Sequence, residues 1–291
     1  MRALKKSSQQ ISIFLSMSRN IRGTQLAKRF KLPYDLTVSE NYNIVSNETQ
    51  AQITELSKKI KENPYAVSLS TPLRKCTFHE RIMPEAFLTR FSTGIDQRTN
   101  TVWAVPTLDD RHERGIGQGR YVAQNREVLH AFEQTGRYKY AFRSKAHYRP
   151  DMTDYIESRL VERVRSLMQV HLQQADFVTL HATTDVWKVQ GGDSDNPSTI
   201  VFAIAFDIPA DSPFRMIETI HQRNTTYNIP IYNAEAIWGP SDSNDLKSKI
   251  TDMPKASNGS SAIALSSGPE NLKTSIALWK LAGYRQTVNH S

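Results

Sequence analysis

Cysteine is all but missing: Cys76 is the only one in 291 residues, which excludes an intrachain disulfide and any multi-cysteine zinc site. A single thiol fits a reducing compartment. Long apolar runs are missing too. No stretch approaches the ~20 consecutive apolar residues of a membrane helix, so no membrane span is expected. The eight histidines (His79, His112, His130, His147, His171, His181, His221 and His290) include no pair at helical metal spacing with an intervening Glu. There is no GxSxG elbow, no Walker lysine loop and no dinucleotide fingerprint after a strand. The chain therefore reads as non-enzymatic, with no cofactor expected.

Acidic side chains are absent from residues 1–34, which carry eight basic ones: Arg2, Lys5, Lys6, Arg19, Arg22, Lys28, Arg29 and Lys31. Setting those eight aside from 37 basic residues leaves 29, equal to the 29 acidic ones, so the formal charge of +8 belongs to the leader. Bulk charge is thus poor evidence for a polyanion partner. The leader is rich in Ser and Gln, and Ile11, Phe14, Leu15 and Ile21 fall at near-helical spacing opposite the basic residues. That is the composition of a mitochondrial presequence and predicts import into the matrix. The run Ile11–Met17 is too short and serine-broken for a secretory h-region.

A hydrophobic fraction of 38% and a charged fraction of 23% suit an ordinary globular body. Residues 35–62 read as a polar linker with a short helix from Asn47 to Lys61, and residues 63–291 as one domain of α+β or mixed α/β class. A small central sheet with flanking helices is expected. Alternation predicts a strand at 66–74 and buried strands at 101–106 and 199–208, the last apolar on both faces. Helical turns are expected at 83–91 and 245–250. The apolar stripe Met152, Ile156, Leu160, Val164, Leu167 and Met168 predicts a helix from 151 to 174. Strands are expected at 177–180, 186–189 and 229–232, helices at 213–221 and from Asn233 to Gly239. In a closing helix capped by Ser267 or Gly268, Leu272, Ile276 and Trp279 are expected to dock on the sheet.

Charge is unevenly spread along the body. Residues 111–149 hold Arg111, Arg114, Arg120, Arg126, Arg137, Lys139, Arg143, Lys145 and Arg149 against Glu113, Glu127 and Glu133. Residues 150–291 hold 12 basic and 16 acidic side chains. Tyr121, Phe132, Tyr138, Tyr140, Phe142 and Tyr148 interleave with the cations. Guanidinium groups clamp phosphates and aromatic faces stack unpaired bases, so this segment is the candidate single-stranded RNA site. Arg120, Arg137, Lys139, Arg143 and Lys145 are the candidate phosphate contacts, with Tyr138 and Tyr140 as stacking platforms. The competing reading makes these aromatics core and pairs the arginines with the acidic second half of the chain.

Other constellations carry less. The segment Gly115 to Gly119 is glycine-rich but has no third glycine at the dinucleotide spacing, and it reads as a flexible turn between two basic stretches rather than a phosphate cradle. Asp109, Asp110, His112 and Glu113 are a dense polar cluster whose carboxylates can equally pair with Arg111 and Arg114. The element order from 151 to 232 loosely echoes a nuclease superfamily in which Asp185 and Asp207 are candidate metal ligands. No Glu-x-Lys follows on the next strand, which weakens that chemistry.

The segments NPYAVSLSTPLR (Asn63–Arg74), VPTLD (Val105–Asp109), YIESRLVERV and IPIYN (Ile229–Asn233) resemble the fungal required-for-respiratory-growth proteins, eighth member of that set. The resemblance spans 63 to about 240. It implies a mitochondrial matrix protein needed for respiratory growth and for maintenance and expression of the mitochondrial genome, with no catalytic residues to carry over. Its partners are then mitochondrial RNA or ribonucleoprotein and mitochondrial gene-expression proteins. The alternatives are a structural subunit of the mitochondrial ribosome and a degenerate or metal-dependent nuclease-like enzyme.

Overall fold

The structure, a computed structural model, describes residues 47–108, 119–143, 145–174, 178–182, 187–190, 200–206, 208, 212–222, 225–251 and 262–286. Contacts divide the chain into Met1–Leu56 and Ser57–Ser291. Helix α1 (Asn47–Glu62) supplies the described part of the first unit, residues 47–56, and starts the second. The candidate presequence, the Asp109–Glu113 cluster, and Asp185 and Asp207 lie outside the described residues.

The class is α+β, but the sheet is not one small central layer. Six strands close into a barrel, β6 (Val178–Ala182), β7 (Trp187–Gln190), β8 (Ile200–Ala205), β9 (Arg215–Gln222), β10 (Thr225–Asn233) and β11 (Ala262–Ser266), in the order β10-β8-β11-β6-β7-β9. The pairs β8/β10 and β7/β9 are parallel, the rest antiparallel. Successive residues alternate between two buried clusters. Ala203, Ala205, Ile229, Ile231, Ala262 and Ala264 join Leu180 and Ile220 in one, whereas Phe202, Ile204, Tyr232, Ile263 and Leu265 belong to the other. Period-two alternation puts the first set inside the barrel. Six strands leave little room there, which is why four of those positions are alanine.

The outward set packs against α5 (Met152–Gln174) and α8 (Pro269–Arg285). On α5 the buried residues are Met152, Ile156, Leu160, Val164 and Met168, the stripe expected from spacing. On α8 the docking face is turned from the expected one. Leu278, Leu281 and Tyr284 are fully buried, while Trp279 meets the rings of Tyr65 and Phe87 edge-on at 4.9 and 5.0 Å.

A second sheet holds the other side of the shared core, with β3 (Leu88–Asp96) between β4 (Thr101–Thr107) and β5 (Arg120–Ala123), antiparallel to both. Phe91, Ala104 and Val122 face the core with α3 (Arg126–Gln134) and α4 (Arg137–Ala141). Both outer strands are covered. His147 exchanges backbone bonds of 2.8 Å with Val102 and Ala104 along β4, and Thr77 N donates to Tyr121 O at 2.7 Å along β5. Neither presents a long open edge. A small ladder of β1 (Leu73–Lys75) and β2 (Ile82–Pro84) precedes them.

Several local expectations change. Residues 64–69 form helix α2 rather than a strand, because Asn63 Oδ1 accepts from the Tyr65 and Ala66 amides and Pro64 suits the first helical turn. The turn at 83–91 shrinks to a 3-10 turn at Glu85–Phe87 before β3. The expected helix at 213–221 is strand β9, where Ile217, Thr219 and Ile220 favour extended backbone and β10 supplies the pairing. Beyond the short helix α6 (Ala234–Trp238), the expected turn at 245–250 is the end of a longer helix, α7 (Pro240–Thr251), started by its proline.

Candidate nucleic-acid interface

Helix α4 owes its position to what precedes and follows it. Gly136 adopts φ 66°, a left-handed conformation that costs glycine least, and turns the chain from α3 into α4. Tyr138, Ala141 and Phe142 then fall at i, i+3 and i+4 and point inward. Ala141 and Phe142 are buried, and the Tyr138 ring stacks on Tyr148 at 5.1 Å. Helical geometry leaves Lys139 and Tyr140 facing out, and Arg143 lies just past the cap. Tyr140 is 86% exposed, and Lys139, Arg143 and Lys145 are exposed beside it.

The two proposed stacking platforms thus separate. Tyr138 is half-buried with one face on Tyr148, and Tyr140 stands free. Of the other interleaved aromatics, Phe132 and Phe142 are core, burial pushes the Tyr148 phenol up from its ordinary pKa, and Tyr121 lies under the Arg74 guanidinium at 5.7 Å.

The cations divide as sharply. Arg126, one residue after the Asn125 cap of α3, pairs with Asp154 at 2.6 Å and with Glu157. Arg149 grips Asp151 through two bonds of 2.6 and 2.7 Å and lies 4.3 Å over the Tyr155 ring. The Arg149 hydrogen bonds hold the Asp151 carboxyl below the usual carboxylate range. These arginines serve α5, as the competing reading expects. Arg137 is intermediate. It donates to Phe78 O at 2.6 Å and lies 5.2 Å over the Phe78 ring, at the surface. Arg120 is half-buried on β5. Lys139 reaches over the Tyr138 ring at 6.0 Å and has no ion pair among the described residues; neither have Arg143 and Lys145. Arg111 and Arg114 lie outside the described residues.

The structure brings together Arg137, Lys139, Tyr140, Arg143 and Lys145 around one short helix and assigns Arg126, Arg149 and Tyr138 to the fold. The signal that separates Tyr138 from Tyr140 is present in RYKYAF: two small or aromatic residues three and four positions after Tyr138 mark its side of the helix as buried. One feature has no sequence signal, the positive φ of Arg143, 54°. Cys76 is fully buried, and its Sγ accepts the Ala123 amide at 3.3 Å and the His79 amide at 3.5 Å, a structural pin between β1 and β5. No group of three or more His, Cys, Asp or Glu side chains gathers in metal-binding fashion among the described residues. Comparison of the chain with protein-family models, curated proteins and solved structures returned no match.

Proposed function

We propose that this chain is a non-enzymatic mitochondrial matrix factor that binds RNA, free or within a ribonucleoprotein, through the outward face of α4. It acts in respiratory growth through maintenance and expression of the mitochondrial genome. The observation that carries the binding reading is the cluster Lys139, Arg143 and Lys145. These exposed cations have no ion pair among the described residues, although neighbouring Arg126 and Arg149 are fully engaged. A cation left without a carboxylate beside an exposed aromatic suits a phosphate backbone. The acid-free leader and the respiratory-growth resemblance support the compartment and the biological role.

Fluorescence anisotropy with a single-stranded RNA across a salt series tests the binding. Three phosphate contacts predict a slope of about −2 in log affinity against log salt. Reversing Lys139, Arg143 and Lys145 to Glu together abolishes binding and crosslinking to RNA in mitochondria while leaving the thermal transition in place. Equal crosslinking by the reversed protein removes the proposal.

A further inference from the structure

Among the described residues, three other than glycine occupy the left-handed region: Glu80 (φ 60°), Asn100 (φ 53°) and Arg143 (φ 54°). Two have local accounts. Asn tolerates this region because its short amide satisfies nearby backbone groups. Glu80 is offset by an ion pair with Lys75 at 3.2 Å and lies in the tight connection between β1 and β2. Arg143 has neither. It follows Phe142, the C-terminal cap of α4, where the Phe142 amide donates to Tyr138 O at 3.0 Å and the Arg143 amide to Tyr140 O at 3.2 Å. Glycine is the ordinary residue just past such a cap, because a Cβ makes the left-handed conformation costly. A long, cationic and exposed side chain stands there instead.

Backbone strain at an exposed residue whose side chain makes no ion pair or hydrogen bond among the described residues points to a contact of that side chain elsewhere. Arg143, four residues after Lys139 and three after Tyr140, is exposed as they are. We infer that Lys139, Tyr140 and Arg143 form a subsite for one unpaired nucleotide of single-stranded RNA, with the base on the Tyr140 ring and its flanking phosphates on Lys139 and Arg143. The inference rests on the RNA-binding reading and makes it specific. A base locked in a duplex offers no free face to Tyr140, so the ligand is an unpaired strand. Arg143 suits a phosphate because its planar guanidinium can donate two parallel hydrogen bonds.

The test compares a single-stranded RNA of about 12 nucleotides, within the span such sites cover, with the same sequence as a blunt duplex. Wild-type protein favours the single strand about tenfold or more. Tyr140→Leu, which keeps an apolar side chain and removes the ring, weakens single-strand binding by roughly five- to a hundredfold, the range for loss of one stacked base. Arg143→Gly is the decisive variant. It relieves the backbone and removes the cation, so its melting temperature rises by a few degrees while its affinity falls about tenfold and its salt slope drops by about 0.7. Arg143→Lys restores the charge and recovers much of the affinity. If wild-type protein binds neither RNA, the broader reading fails. If it binds the single strand but Arg143→Gly binds equally well, RNA binding stands and this subsite is overturned. Equal affinity of the wild type for duplex and single strand overturns the subsite as well.

Discussion

Along β8 and β11 every second residue enters one buried cluster and its neighbours enter another, so few side chains on these strands remain outside the core. Along α4 the division runs between buried and bare. Tyr138 stacks on Tyr148, and two residues later Tyr140 is 86% exposed. The barrel places its side chains to close a structure. The α4 region places three cations, Lys139, the strained Arg143 and Lys145, beside the exposed Tyr140 ring with no ion pair among the described residues. The difference separates residues whose cost is met by folding from residues that the described fold leaves without a use.

Ile231 is fully buried inside the barrel, and Ile231→Ala is expected to destabilise the protein by about 2–5 kcal/mol, because the narrow lining relaxes little around the cavity. Tyr140→Ala is expected to change stability by less than about 0.5 kcal/mol, as at exposed sites free of special contacts. Urea unfolding of both variants measures the contrast. A loss of 2 kcal/mol or more for Tyr140→Ala would mean that the ring is held by the fold.

The same contrast can be drawn among charges. Glu157 receives Arg285 Nε at 2.7 Å and also pairs with Arg126, and Arg285 continues to Ala236 O, tying α3, α5, α6 and α8 at one point. The Glu157 side chain is 17% exposed and that of Arg285 24%, so the pair is only partly screened by water. Glu157→Ala is expected to cost about 1–3 kcal/mol, since two guanidinium groups lose a charged acceptor together. Lys139→Ala should leave the thermal transition within experimental scatter. A neutral Glu157→Ala would show that this ion-pair cluster contributes nothing to the fold.

Much of this partition could be read in the chain before folding. The α5 stripe, the two-sided apolar strand at Ile200–Ala205 and the short helix after Asn233 follow from periodicity and capping, which act within one turn or one strand. Barrel closure could not be read, because it depends on pairings such as Trp187 with Ile220 that join residues far apart in sequence. The strand at Arg215–Gln222 was masked by Pro213 and Phe214, which suit a helix start as well as an approach to a strand. At the candidate site, composition marked the segment, but 3.6-residue periodicity was needed to sort Tyr138 from Tyr140. Ion pairs sorted Arg126 and Arg149 from Lys139, Arg143 and Lys145: Arg126 reaches Asp154 and Glu157 on α5 by tertiary contact, and Arg149 pairs locally with Asp151 two residues on. The φ of Arg143 runs against local propensity and has no counterpart in the sequence.

The smallest effect concerns the ring beneath α4. The Tyr148 hydroxyl is buried and makes no hydrogen bond among the described residues, and burial raises its pKa above the ordinary 10.0. Tyr148→Phe keeps the stack with Tyr138 and removes an unsatisfied group, so it should stabilise the fold by up to about 1 kcal/mol at neutral pH. Burial raises the phenols of Tyr232 and Tyr284 as well. A phenol held neutral in the folded state contributes stability that is complete below its unfolded pKa. That stability falls as pH climbs beyond it, by about 1.4 kcal/mol per unit for each tyrosine, because the unfolded chain releases the proton first. The wild-type protein should therefore lose stability steeply above pH 10, and Tyr148→Phe should lose it with a slope smaller by one tyrosine's share. Chemical unfolding at pH 7 and across the alkaline range measures both. A destabilised Tyr148→Phe would show that the hydroxyl has a partner, and that the support under α4 is polar as well as aromatic.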